Sequence, residues 1–153
     1  MDRQKLELAL KDISIPPEAA VEYGLKASRM AGAVTERMLA RPDLDALIGK
    51  NNAEMMKDNH ANHARFIESV LRNFDAATLT DTVLWVFRAY RSRGFHDNYW
   101  AAQLNLWHAV MKENLSEETL RAVLPIYNWM QVNIPGFVVL ADERRKELKD
   151  QLG

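Results

Sequence analysis

The amino-acid sequence predicts an all-α domain of about six to eight helices. Three observations carry this. Apolar residues recur at three- and four-residue spacing along most of the 153-residue chain, the period of an amphipathic helix. No segment alternates apolar and polar residues around a tight turn, so no β-hairpin is expected. Pro16-Pro17, Pro42, Gly49, Gly94 and Pro135-Gly136 fall where the periodic segments stop, as helix breakers do.

The elements follow in order. Leu6, Leu8 and Leu10, then Ile13 and Ile15, read as a short helix running into an extended stretch, an N-terminal extension over 1–16. Pro17 suits the first turn of the next helix, which runs to about Arg41 with Val21, Leu25, Met30, Val34 and Met38 as its apolar stripe. Asp43 to Ile48 is one or two turns, closed by Gly49. A long helix from about Asn52 to Phe74 carries Met56, His60, His63, Ile67, Val70 and Leu71 near one face. Thr78 with Asp81 three residues on resembles a capping box for a helix that ends before Gly94. Asp97 or Asn98 is the expected cap of the helix holding Trp100, Leu104, Trp107 and Met111. Ser116 caps the next, which reaches Val132 and which Pro125 is expected to kink. Pro135-Gly136 reads as a turn, and 138–153 as a charged last helix or tail. Phe66, Ile67, Val70, Val83, Phe87, Leu104, Trp107 and Leu124 are the expected core.

Composition narrows the classes. A chain with 48% hydrophobic and 27% charged residues is an ordinary globular one. At this length a single domain over 1–153 buries roughly 70% of its unfolded surface. The formal net charge is -1, so no basic excess points to nucleic acid. Cysteine is absent, which excludes disulfides, thiol nucleophiles and thioether-linked tetrapyrroles. The N-terminus is charged and lacks the apolar run of a signal peptide. No stretch approaches the ~18 apolar residues of a membrane span. A cytoplasmic location is therefore expected.

Chemistry-bearing residues are few. His60 and His63 are three residues apart and share a helix side. They either flank a metal or porphyrin or are simply polar residues on a rim, and no third ligand is evident. The sequence has no Gly-rich phosphate loop, no GxSxG elbow and no HExxH. Nothing in it specifies an enzyme. Aromatics crowd the C-terminal half: Trp85, Phe87, Tyr90, Phe95, Tyr99, Trp100, Trp107, Tyr127 and Trp129. They build a core, or they line an apolar pocket or an interface. Tyr127 and Trp129 are two positions apart and cannot both point straight inward. A homodimer built on Trp100, Tyr127 and Trp129 is the expectation, with a groove for Trp129 against the N-terminal helix as the alternative.

The stretch from His60 to Trp129, with the run VLRNFDAATLTDTVLWVFRAYRSRGFHDNYW (residues 70–100) at its centre, resembles the latter half of a globin. In that likeness Gly94-Phe95 is the corner after the haem-binding helix, and Tyr99 is the aromatic that opens the next. The iron-binding histidine then falls on Tyr90, and a distal histidine on His60 or His63. The same region is similar to the helical module that precedes B12-binding domains in bacterial regulators. The shared positions are His63, Phe66, Leu71, Asp75, Leu79, Asp81, Val83, Trp85 and Ser92-Arg93-Gly94-Phe95. The Asp-x-His-x-x-Gly signature that ligates cobalt is absent, so cobalamin is not carried over.

The resemblance implies a globin-like helical sandwich without the usual iron ligand. It implies a non-catalytic sensor or adaptor domain, acting through an apolar pocket, through dimerisation or through a regulatory protein partner. His60, His63, Phe87, Tyr90 and Trp107 are the expected pocket residues, for a small apolar ligand and no cofactor. The alternative is a haem- or tetrapyrrole-binding globin using His60, His63 or Tyr90.

Overall fold

The computed structural model describes residues 2–152. They form eight helices and no strand: α1 (Arg3–Leu8), α2 (Pro17–Leu39), α3 (Leu44–Ile48), α4 (Ala53–Arg72), α5 (Ala76–Arg91), α6 (Asn98–Asn114), α7 (Glu117–Val132) and α8 (Ile134–Leu152). The all-α class and the helix number agree with the sequence.

Local chemistry explains the helix ends. Asp2 caps α1 and Ser116 caps α7, each accepting the amide N–H three residues on. Pro17 opens α2, where its missing N–H costs nothing. At α5 the sequence reading is corrected. The cap is Asp75, which accepts the Thr78 N–H, so the helix starts three residues before the proposed box. Asp97 precedes α6 but makes no capping bond. His96 Nδ1 accepts the Asn98 N–H instead, and Asp97 pairs with Arg91 at 2.7 Å. Pro135-Gly136 is not a turn. It lies in the first turn of α8, a position that tolerates proline.

One continuous core runs from Leu6 to Ala141. α2 packs against α4, α6 and α7, whereas α5 docks on α8 and α1. The inward face of α2 is Tyr23, Ala27, Met30, Val34 and Met38, a clean three/four spacing. Val21 and Leu25, read as part of that stripe, point outward, and Leu25 is 82% exposed. The described part of the N-terminal extension, residues 2–16, is more than an extension, since Leu6 and Leu10 are fully buried in the common core. Of the expected core residues, Phe66 and Leu124 are only half-buried and the other six are buried.

The corner between α5 and α6 is fixed by Gly94, whose φ of 100° favours glycine. The Asn52 side chain donates to the Ile48 and Arg93 carbonyls at 2.7 and 2.9 Å. His96 N–H donates to Leu47 at 2.8 Å. These bonds tie the end of α3 and the start of α4 to the corner between α5 and α6.

Candidate functional site

α4 and α5 are consecutive, yet a cavity of about 240 Å³ lies between them. α4 presents Asn59, Asn62, His63 and Phe66, which lie within seven residues on one helix side. α5 presents Thr82, Val83, Trp85, Val86, Phe87 and Tyr90. Trp100, Gln103 and Leu104 of α6 and Met130 of α7 complete the lining. Asn62 and Trp85 are exposed, Trp85 at 58%, and mark the mouth. Asn59, Gln103, Trp100 and Met130 are buried and form the floor.

Two hydrogen-bond chains run from the cavity lining to α2. In the first, the Tyr99 hydroxyl donates to Asn59 Oδ1 at 2.7 Å and meets His60 Nε2 at 2.9 Å. His60 Nδ1 lies 2.7 Å from the Thr35 hydroxyl. One proton arrangement satisfies every member: Thr35 donates to Nδ1, Nε2–H donates to Tyr99, and Tyr99 donates to Asn59. In the second, His63 Nε2 lies 2.8 Å from the Tyr127 hydroxyl, which lies 2.7 Å from that of Tyr23. Burial holds both histidines neutral, lowering His60 to about 4 and His63 to about 3. The positive charge His60 would carry when protonated adds to the lowering at His63. Burial likewise raises the Tyr99 and Tyr127 phenols well above their ordinary range.

Three of the expected pocket residues line the cavity: His63, Phe87 and Tyr90. His60 does not. It sits behind the wall with both ring nitrogens engaged. Trp107 is also behind it, tilted against the His63 ring at a centroid distance of 4.7 Å. His60 is fully buried, whereas His63 is half-buried in the cavity wall. His60 has no free nitrogen, His63 Nε2 is taken by Tyr127, and among the described residues no group of three His, Asp or Glu converges.

The expected interface residues are displaced from the surface. Trp100, Tyr127 and Trp129 are 2%, 0% and 6% exposed. α7 is covered on two sides, so two aromatics two positions apart are both buried. Tyr127 faces Tyr23, His63 and Trp107, while Trp129 packs on Phe137 at 5.1 Å and donates its indole N–H to the Leu6 carbonyl at 3.0 Å. Trp100 stacks on Phe87 at 4.5 Å. The exposed tryptophan is Trp85.

Sequence reasoning missed Asn59 and Gln103 as site residues. A usable signal existed, since Gln103 falls in the same register as Tyr99, Trp100 and Trp107, where an apolar residue is the norm. No single helix among the described residues is long and apolar enough to cross a membrane. No known protein family, curated protein or solved structure matches the chain.

Proposed function

We propose that this chain is a non-catalytic, globin-like sensor or adaptor domain whose α4–α5 cavity takes a small ligand. The observation that carries this is the position of the cavity. It opens between two consecutive helices, its walls are largely apolar, and polar groups cluster on its α4 and α6 sides, the common form of a ligand site. Both relays end on α2, at Thr35 and Tyr23, so a ligand that shifts Asn59 or His63 acts on that helix. The outer face of α2 exposes Val21, Leu25 and Leu39. These lie on one helix side, available to a second copy of the chain or to a regulatory partner.

Three measurements test this. A fragment screen followed by methyl NMR is expected to shift Val83, Leu104 and Met130. Binders that never touch these methyls would remove the cavity from the function. Sedimentation equilibrium at micromolar concentration is expected to give twice the 17.6 kDa chain mass, reverting in Leu25→Glu. A clean monomer would remove the dimer. Titration with hemin is expected to give no sharp Soret band. A band lost in Tyr90→Phe or His63→Ala would establish the tetrapyrrole alternative instead.

A further inference from the structure

Taking the cavity as the ligand site, we infer that its occupant is uncharged: a body about the size of one aromatic ring, carrying a single hydrogen-bonding group. The lining contains no Asp, Glu, Lys or Arg. Its one titratable ring of ordinary near-neutral range, His63, is kept neutral by burial, so it offers a carboxylate no counter-charge at pH 7. An ion entering a site without a partner loses its hydration and gains nothing comparable.

The floor is nevertheless polar in a specific way. Asn59 and Gln103 are both buried, and each directs its carboxamide oxygen to the Tyr99 hydroxyl, at 2.7 and 3.5 Å. Trp100, which also lines the cavity, has a buried indole N–H with no hydrogen-bond partner among the described residues. That free donor, beside two carboxamides at the base of an apolar wall, matches one hydroxyl, carbonyl or amide oxygen on the ligand. Tyr99 holds Asn59 in place, so the recognition group is oriented before the ligand arrives.

Volume sets the size. Benzene fills an apolar protein cavity of about 150 Å³. At about 240 Å³, this cavity holds one ring and a short substituent within its walls.

Three probes of one shape separate the possibilities: benzyl alcohol, benzoate and benzylammonium, titrated at pH 7 into the full chain and followed by the Val83, Leu104 and Met130 methyl signals. Benzyl alcohol is expected to shift these methyls saturably, with a Kd lower than that of either ion by at least about tenfold. Equal or tighter binding of benzoate or benzylammonium at the same methyls overturns the neutral-ligand inference and leaves the cavity as a ligand site. If none of the three shifts them at millimolar concentration, the inference and the ligand-site reading both fall.

Discussion

The hydroxyls of Tyr23 and Tyr127 meet 2.7 Å apart in the core, although 104 positions separate them in the chain. Tyr127 also contacts His63 Nε2 at 2.8 Å, so its hydroxyl is the middle of a three-residue chain joining α2, α7 and α4. Removing the middle differs from removing an end. Tyr23→Phe deletes one bond and is expected to cost about 1 kcal/mol. Tyr127→Phe leaves Tyr23 and His63 both unpaired, at about 1–3 kcal/mol for each. Urea unfolding of the two variants checks this, and equal losses would show that the His63 bond contributes nothing.

Acid stability follows from the two neutral histidines. In the unfolded chain their ordinary value is 6.5, and in the fold burial lowers them to about 4 and about 3. Between these limits the unfolded state binds protons that the native state refuses. Stability is therefore full above pH 6.5 and falls as pH drops through the folded values, with a limiting slope of about 1.4 kcal/mol per pH unit for each histidine. Glu22 acts lower. Hydrogen bonds from Lys26 and then Ser116 hold it at about 2 against an ordinary 4.5, so its contribution is lost only below pH 4.5. Stability measured from pH 7 to pH 4 is expected to fall steeply in the natural chain and less so in His60→Gln. A flat profile would place both rings in water.

Trp129 moors the N-terminal helix. Its N–H to the Leu6 carbonyl spans 123 positions, and Leu6 and Leu10 are buried behind it. Trp129→Phe keeps most of the ring area but leaves that carbonyl unpaired, costing about 1–3 kcal/mol. Hydrogen exchange at residues 3–10 is expected to quicken more than exchange in α4. Unchanged protection there would mean that apolar contact alone holds α1.

Phe87 is buried between Trp100 at 4.5 Å and Phe137 at 5.5 Å. Phe87→Ala is expected to cost about 3–5 kcal/mol and to enlarge the cavity that Phe87 also lines. Thermal unfolding gives the loss, and a value under about 1 kcal/mol would show that the neighbours collapse into the space.

Much of the local structure was legible in the sequence because it is set by nearby residues. The limits of α2 and α4, the caps at Ser116 and the corner at Gly94 all depend on a few positions of chain chemistry. At α5 the Thr78 reading gave way because the Asp75 carboxylate accepts both the N–H and the hydroxyl of Thr78.

The amino-acid sequence by itself determined the helical class, the breaks between helices and the identity of most buried residues, since periodicity and punctuation are properties of short segments. Only the tertiary structure decided which side of a doubly covered helix counts as inside. That is why Trp100, Tyr127 and Trp129 are core rather than surface, and why Leu25 is surface rather than core. It also decided the fate of His60 and His63, whose partners Thr35, Tyr99 and Tyr127 lie 25, 39 and 64 positions away. A hydrogen bond between residues so distant depends on how whole helices cross, and helical spacing within one segment carries no record of that crossing.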